Sequence, residues 1–275
     1  MYMLLLKKQG VDNMKKNIIF FSAFSLLLLT SCDMLEKFPK YDDTRKYHVI
    51  DKNGETYNET LKKIDISWVS GNVYISTTNT YKGVTIFEKA PEDYKEDYLC
   101  HVYRDKDFLN LKYCHSNISL TKNLKKDLFV YIPENVSIDE LVIGNVSSNI
   151  EISSINCEEI EIENISGNVK LNKVNAKDIS YEGASASLVA SLTSYTKEIS
   201  IEQISGDTFL TLPSINDGFW LTYDSISGEL LSDFETIVKG NKYTYGSSIS
   251  TNLEIDFYSV SGDLSLLKYE SSKEK

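Results

Sequence analysis

Residues 160–171 read Ile-Glu-Ile-Glu-Asn-Ile-Ser-Gly-Asn-Val-Lys-Leu, and this stretch decides the fold class. Counted from Gly167, apolar residues stand at positions −7, −5, −2, +2 and +4. Residues two apart on a β-strand share one face, whereas residues three apart do not. The stretch therefore predicts a first strand, a corner at Glu163-Asn164 that turns Ile165 inward, and a second strand that runs through the Gly.

The same spacing recurs along the chain around short Ser-Gly-Asn, Ser-Gly-Asp or Ser-Gly-Glu phrases. Position zero is held in five copies by Gly71, Gly167, Gly206, Gly228 and Gly262, and in two more by Ser148 and Ala186. From 148 to 228 successive zero positions lie 19 to 22 residues apart, and the interval from 71 to 148 equals about four such units. A further degenerate unit is expected around Tyr245-Gly246-Ser247.

Units of this length with two short strands each predict an all-β fold, in which successive units stack as the rungs of a β-solenoid. A small residue at position zero indicates close approach of backbone across a narrow interior. The Asn or Asp that follows it suits a turn. The alternative is an antiparallel β-sandwich with Ser-Gly-Asn as hairpin turns. The solenoid is favoured because the apolar phase continues through the Gly, where a tight hairpin would reset it.

The repeated Val/Ile-Ser-Gly-Asn/Asp phrase, together with Leu128-Phe129-Val130-Tyr131-Ile132-Pro133, resembles a bacterial family of β-strand repeat proteins named putative adhesins. The resemblance covers about residues 61–268 and departs from the pattern between residues 76 and 127. It implies an exported or membrane-attached β-solenoid without an established catalytic activity. Some members are tied to envelope stress, which implies an alternative regulatory role. The motif is structural, so no catalytic residue is carried over.

The N-terminal segment has the features of a bacterial lipoprotein signal peptide. Lys15 and Lys16 precede an apolar run at residues 18–29. At 1.5 Å per residue this run reaches only about 18 Å, too short to cross a bilayer, so it is expected to be removed. Leu29-Thr30-Ser31-Cys32 follows and resembles a lipobox, which implies that Cys32 is lipidated and anchors the chain in a membrane.

These features predict the organisation of the whole chain. Residues 1–32 form the signal peptide, with Met14 as the expected true start. A polar tether is expected at 33–60, the β-repeat domain at 61–270 and a polar tail at 271–275. The lipid predicts attachment to the cell envelope: the outer membrane, the cell surface or the periplasmic face of the inner membrane.

The charge of the chain excludes one class of partner. With 29 basic and 40 acidic residues the formal net charge is −11, which repels phosphates, so nucleic acid is not expected to bind. A second polar feature is a column of Asn and Asp at position +1, which would line one edge of a stack. We interpret it as turn formation and not as a calcium site, because calcium requires several carboxylates per ion. Its members are Asn72, Asn149, Asn168, Asp207 and Asp263.

Cysteine and histidine occur in two adjacent pairs on runs that flank a polar turn. Cys100 and Cys114 could form a cross-strand disulfide, with free thiols as the alternative. Together with His101 and His115 they have the composition of a zinc site, but neighbours on a strand project to opposite faces. No metal and no cofactor is therefore predicted.

Exposed aromatic side chains are the remaining candidates for binding. The repeat phase points Phe209 and Trp220 outward and puts Tyr258 at a corner. Aromatic rings on a flat β surface can stack on sugars or pack against protein. They can also form ladders that only stabilise the exterior of the stack.

The function that fits these features is that of a non-enzymatic, lipid-anchored envelope protein whose repeat surface serves adhesion or binds a protein or glycan. One alternative is an envelope-stress sensor that binds a regulatory partner. Another is a polysaccharide-active enzyme on a β-helix. The enzyme is disfavoured because it needs clustered acidic and basic groups, and Arg45 and Arg104 are the only arginines of the chain.

Overall fold

A computed structural model describes residues 41, 44–57, 61–116, 118, 124–213, 218–246 and 253–269. Over these residues the chain is almost entirely β, with short 3-10 helices at Thr44–Lys46 and Glu96–Tyr98. The strands are His48–Val49 (β1), Glu55–Tyr57 (β2), Lys63–Thr78 (β3), Val84–Lys89 (β4), His101–Asp105 (β5), Phe108–Lys112 (β6), Lys126–Pro133 (β7), Ser137–Ser153 (β8), Asn156–Ser166 (β9), Val169–Ser185 (β10), Leu188–Leu192 (β11), Glu198–Ser205 (β12), Thr208–Leu212 (β13), Phe219–Ser225 (β14), Leu230–Ser232 (β15), Ile237–Lys239 (β16), Lys242–Tyr245 (β17), Leu253–Ser261 (β18) and Leu264–Lys268 (β19).

The strands form two walls around a common interior. Wall A contains the strand segments before each position zero, and wall B contains those after it. Within both walls the repeat units pair in parallel and in register, with the antiparallel strands at the ends. Wall A runs in space as β1, β5, β6, β3, β8, β9, β10, β12, β18, β14, β17, β16, and wall B as β2, β4, β7, β3, β8, β10, β11, β13, β19, β15.

The interior is the predicted one. Ile162, Ile201 and Phe257 occupy the same repeat position in different rungs, and each is 0% exposed. In-register stacking puts such residues above one another, so a continuous apolar core runs the length of the molecule. The all-β repeat stack is confirmed, and the antiparallel sandwich is excluded because the units pair in parallel.

The order of the rungs differs from the sequence order at both ends. The unit around Gly71 was expected about four units from the unit around Ser148, but β3 pairs directly with β8. The intervening residues form β4 to β7, on the far side of β3, and part of them pairs antiparallel. At the other end β18 and β19 lie between β12/β13 and β14/β15. Both terminal units of the repeat are thus inserted between two others.

Two predicted segments have a different structure. The degenerate unit expected around Tyr245-Gly246-Ser247 is no rung: β16 and β17 form an antiparallel hairpin that pairs with β14, and Ser247 lies outside the described residues. The polar tether was expected to reach residue 60. Residues 44–57 instead belong to the body, because β1 pairs with β5, β2 pairs with β4, and Ile50 is buried in the core. The predicted signal peptide, Cys32 and the tail 271–275 lie outside the described residues.

The predicted corner lies elsewhere in the unit. The strand continues past Glu163 to position −3, where the side chain of Asn164 is buried. The apolar residue at −2 differs between rungs: Val69 is buried, Ile165 is half-buried and Ile226 is 81% exposed. Asn164 Nδ2 donates to the carbonyl of Gly167 at 2.7 Å, and Asn145 and Gln203 close the same turn in their own rungs. A buried amide at −3 therefore fixes the turn, because its polar group would otherwise be unsatisfied.

The glycines at position zero are needed for contact along the stack, not across the interior as expected. Gly167 has φ +99°, and a Cβ there would collide with the backbone carbonyl of Ser148 in the neighbouring rung. Gly71, Gly206, Gly228 and Gly262 likewise face the carbonyl of the adjacent rung. All five predicted structural glycines thus lie at sites where a side chain has no room.

Candidate functional site

The two walls present outer faces of opposite character, which we call the acidic face on wall A and the neutral face on wall B. On each strand the side chains alternate between the interior and one of these faces. The registers place outward residues of successive rungs next to one another in rows, about 4.8 Å apart. The composition of these rows determines what each face can bind.

The acidic face consists of three rows of carboxylates. Few cations offset them: Lys63 pairs with Glu140 at 2.5 Å and Lys177 with Asp178 at 3.3 Å. The rows contain Glu140, Glu159, Asp178, Glu198 and Glu254 in the first, Glu161 and Asp256 in the second, and Glu163, Glu182, Glu202 and Asp224 in the third.

Crowding of like charges is strongest near the middle of the third row. Glu182 lies in register with Glu163 on one side and Glu202 on the other. Partial burial, followed by the negative charges of Glu163, Glu202 and Glu161, raises the pKa of Glu182 to about 7. Burial and the neighbouring carboxylates also raise the pKa of Glu198. This face therefore repels anionic ligands and holds the carboxyl of Glu182 partly protonated near neutral pH.

The two central rows of the neutral face have almost no net charge and are largely apolar or hydroxylated, whereas further carboxylates of this wall lie in the column at its turn edge. Among the described residues, these two rows contain one oppositely charged pair, in which Lys170 Nζ lies 3.0 Å from Glu151 Oε1. One row reads Phe129, Tyr74, Glu151, Lys170, Val189, Phe209, Ser265, Leu231, and the next reads Tyr131, Ser76, Ser153, Asn172, Ser191, Thr211, Leu267.

Apolar side chains on the neutral face form two patches, one on each side of the Glu151–Lys170 pair. The aliphatic patch includes Val189, 46% exposed, and Leu231, 57% exposed, with Phe209 between them. Exposed contiguous apolar surface on a soluble domain commonly marks an interaction site. The hydroxyl and amide groups of the neighbouring row can hydrogen-bond a ligand that lies across it.

The aromatic patch lies toward the end of the stack that carries β4 and β7. Tyr74 and Phe129 stack at 5.0 Å between ring centroids, and Tyr131 lies 6.5 Å from Phe129 with nearly parallel planes. Phe87 and Tyr81 pack against Tyr131 at 6.0 and 5.8 Å. The rings form a continuous, half-buried surface that both stabilises the exterior and presents aromatic edges to solvent.

The three aromatic residues predicted as binding candidates do not form one surface. Phe209 lies on the neutral face, 38% exposed, as its repeat phase predicts. Trp220 is also outward, 44% exposed, but it lies in the first row of the acidic face next to Glu254. Tyr258 is not at a corner; it is half-buried on the acidic face in register with Glu202.

The polar column at position +1 is present and serves the turns. Asn149 Oδ1 accepts from the backbone N–H of Asn168 at 3.0 Å, and Asp263 Oδ1 accepts from that of Glu229 at 2.8 Å. Asn149 Nδ2 donates to Asn72 Oδ1 at 3.2 Å. These side chains bond to the adjacent rung, which supports the turn interpretation over calcium binding.

The cysteine and histidine pairs are buried beneath the end of the stack. Cys100 and Cys114 are separate buried thiols, so the possible disulfide is not formed. Because His101 pairs with Lys112, the two cysteines are displaced by one residue and do not lie directly opposite each other. Burial raises the pKa of Cys114 to about 12. The rings of His101 and His115 lie 5.3 Å apart, but no group of three metal-ligating side chains occurs in the part of the chain that the structure describes.

A buried ion pair, which the sequence did not indicate, lies next to these thiols. Lys126 Nζ and Glu88 Oε1 are 2.5 Å apart, with both side chains almost fully buried. The ammonium also donates to the carbonyls of Tyr98 and Tyr113 and lies 5.1 Å from the centre of the Trp68 ring. Every donor of the lysine is used, so the pair is a structural element and is not free for chemistry.

Comparison with known proteins finds similar solved structures and one matching family. No helix among the described residues is long and apolar enough to cross a membrane. The chain is similar in structure to a "putative cell adhesion protein" from Clostridium sporogenes, with a TM-score of 0.45 and 13% identity over 81% of this chain and 98% of that one. It is also similar to a "putative adhesin" from Bacteroides fragilis, with a TM-score of 0.34 and 14% identity over 78% and 96%.

No curated protein sequence matches the chain. Residues 61–275 match the model of a family described as Toastrack DUF4097. This range contains every rung of the stack and covers well over half of the sequence. The family resemblance predicted from the repeat phrase is thereby confirmed, and the chain belongs to the Toastrack DUF4097 family.

Proposed function

We propose that this protein is a non-enzymatic, lipid-anchored envelope protein that acts in an adhesin-like role by binding an extended ligand along its neutral face. The observation that carries the proposal is the contrast between the two outer faces. One wall carries rows rich in carboxylates that few cations offset, whereas the two central rows of the other carry apolar and hydroxylated side chains with a single ion pair.

The chemistry of the neutral face favours an uncharged glycan as the ligand. Aromatic and aliphatic groups such as Tyr74 and Phe209 can pack against the apolar surface of sugar rings, and Ser191 and Thr211 can bond their hydroxyls. The rows continue from rung to rung along the stack, which matches a linear chain better than a compact molecule. An anionic ligand would be disfavoured by the net charge of −11.

The lipid at Cys32 is the second part of the proposal. It rests on the order of basic residues, short apolar run, small residues and cysteine at the N-terminus. Replacement of Cys32 by alanine should abolish incorporation of labelled fatty acid and move the protein from the membrane fraction to the soluble fraction. Unchanged labelling of the variant would contradict a lipid at this residue.

The binding surface is tested with matched aromatic variants of the two faces. We expect Phe209→Ala and Tyr74→Ala to weaken binding to immobilised neutral polysaccharides by about tenfold or more, because stacking on the neutral face is lost. Trp220→Ala and Tyr258→Ala, on the acidic face, serve as controls and should bind as the parent does. Thermal melts of all four establish that each is folded.

The opposite result, loss of binding in Trp220→Ala with normal binding in Phe209→Ala, would assign the ligand to the acidic face. Binding of proteins but of no polysaccharide by the parent chain would replace the glycan by a protein ligand on the same face. Cleavage of any polysaccharide by the purified chain would contradict a non-enzymatic role.

A further inference from the structure

The edge of wall A at its β16 end carries an open strand. β16 pairs with β17 along one side, and no other described strand pairs with it. Ile237 is 66% exposed and Val238 is 52% exposed, although neighbouring residues on a strand project to opposite faces. A strand with apolar side chains on both faces and an unpaired edge is a template for another strand.

The hairpin determines which backbone groups of β16 point outward. Gly240-Asn241 is a two-residue connection, so the flanking residues Lys239 and Lys242 form the closing hydrogen-bonded pair. Because hydrogen-bonded and non-hydrogen-bonded pairs alternate, Ile237 also directs its N–H and C=O toward β17. The N–H and C=O groups of Val238, and of Thr236 before it, then point away from the sheet and are available to a new strand.

We propose that β16 is a dimerisation edge, which pairs antiparallel with β16 of a second copy of this chain about a two-fold axis through Ile237. Thr236 of each copy then exchanges backbone hydrogen bonds with Val238 of the other. Ile237 faces Ile237 as a non-hydrogen-bonded pair, the type in which opposite side chains lie closest.

Charge complementarity identifies the partner as a second copy. Residues 235–239 read Glu-Thr-Ile-Val-Lys, so a register centred on Ile237 puts Glu235 opposite the second copy's Lys239, twice by symmetry. Both side chains are exposed and neither pairs with another side chain among the described residues. A parallel arrangement would instead place Glu235 beside Glu235 and Lys239 beside Lys239, which disfavours it.

The two-fold pairing stops at a dimer, because it uses the β16 edge of both copies. It joins the two copies of wall A into one sheet, with Ile226 and Leu231 exposed on the same end of each molecule. A contact centred on the short strand β16 and the two residues before it is small compared with stable protein interfaces, so association is expected to be weak in dilute solution and stronger when copies share one membrane.

Site-directed cross-linking tests the register. In the full chain as isolated from cells, Ile237→Cys should form a covalent dimer under mild oxidation at least about tenfold faster than Val238→Cys, because two cysteines at 237 face each other across the axis. At 238 the cysteines are displaced along the strands by two residues. The native thiols at 100, 114 and 157 are buried, and the unsubstituted chain gives the background. Equal rates for both variants, or no dimer from Ile237→Cys, would refute the proposal.

Charge exchange provides an independent test by sedimentation. Glu235→Lys and Lys239→Glu should each lower the dimer fraction about tenfold, and the double variant, which restores the complementary register, should recover it. Both positions are exposed, so neither substitution should change the thermal melt. Unchanged dimerisation in the single variants, or no recovery in the double variant, would overturn the Glu–Lys pairing. A failure here leaves glycan binding on the neutral face unaffected, so the two proposals are separately decided.

Discussion

At the residue scale, the glycine at each turn and the buried amide beside it determine how closely neighbouring rungs approach. Gly167 lies where the chain turns from wall A to wall B, with φ +99° and the carbonyl of Ser148 directly beneath it. The buried amide of Asn164 bonds to the carbonyl of Gly167 from the other side. The Ser-Gly phrase is thus a requirement of the contact between neighbouring rungs, and this explains why it recurs with the period of the stack.

Gly167→Ala should therefore lower the free energy of unfolding by at least about 2 kcal/mol, because its Cβ is strained at positive φ and collides with Ser148. Gly144→Ala is the matched control on the same wall: its site is open space, and the lost chain entropy makes the change neutral or slightly stabilising. Urea unfolding of both variants measures the difference. Equal stability of Gly167→Ala and the parent would contradict the rung contact.

The acidic face makes a pH prediction at the same scale. The pKa of Glu182 is raised to about 7 in the folded protein from its ordinary 4.5, chiefly by burial and then by Glu163 and Glu202. A raised carboxyl pKa means that the charged form opposes folding above pH 7, and that this cost disappears as pH falls from 7 toward 4.5. Glu182→Gln should then stabilise the protein by about 1 kcal/mol at pH 8, after allowance for solvent screening, and by nothing at pH 4.

Thermal or urea unfolding at both pH values checks this difference. The control is Glu92→Gln in the exposed loop after β4, which is remote from the rows of carboxylates and should have the same small effect at pH 4 and pH 8. If Glu182→Gln destabilised the protein at pH 8, the carboxylate row would be favourable and the account of the acidic face would be wrong.

At the element scale, the inserted strand β18 connects units that are distant in sequence. Phe257 on this strand is fully buried and stacks on Tyr223 of β14 at 5.4 Å with nearly parallel rings. Its neighbour Tyr258 projects to the outer face. The same strand therefore offers one side chain to the core and the next to solvent, and the two can be compared directly.

Phe257→Ala should cost about 3–5 kcal/mol of unfolding free energy, because it leaves a cavity between β12 and β14. Tyr258→Ala should cost less than about 1 kcal/mol, since its ring remains in contact with solvent. Denaturant unfolding of the two variants measures the loss of unfolding free energy in each. Similar small effects for both would mean that β18 is not an inner strand.

The strands and their inward faces could be predicted from the sequence, whereas their order could not. Alternation at −7, −5, +2 and +4 identifies Ile160, Ile162, Val169 and Leu171 as core, because burial imposes a period of two on a strand. The order of the rungs could not be predicted, because the units have nearly identical apolar patterns and these do not show which units are neighbours in space. The burial of Asn164 could not be predicted, because an amide at −3 has the polarity of a surface residue in the sequence.

At the scale of the whole molecule, the two outer faces could have been partly predicted. Outward positions of wall A read Glu-x-Glu-x-Glu around Ile160 and Ile162, whereas the central outward positions of wall B mix apolar and aromatic side chains with Ser, Thr and Asn. That contrast becomes visible only after the turn is placed at Gly167 and not at Glu163. The aromatic patch could not be predicted, since it joins β3, β4 and β7, whose pairing does not follow the repeat.

The insertion of both terminal units also affects the whole molecule, because it places the ends of the repeat among inner strands. The antiparallel strands differ from the repeat: β1, β2, β4 and β5 lie at one end, and β16 and β17 extend wall A at the other, where wall B ends in the parallel strand β15. These strands cover the open interior, as terminal units of solenoids must. At the β16 edge of wall A, an unpaired backbone is combined with the exposed apolar residues Ile237 and Val238.

Cysteine cross-linking between outward positions tests the order of the rungs most directly. Glu198 of β12 and Glu254 of β18 are in-register neighbours about 4.8 Å apart across adjacent strands, whereas Trp220 of β14 lies one strand further, at about 10 Å. The inserted position of β18 predicts rapid intramolecular disulfide formation in Glu198→Cys/Glu254→Cys and little in Glu198→Cys/Trp220→Cys. The reverse result would show that the units stack in sequence order and would contradict the inserted topology.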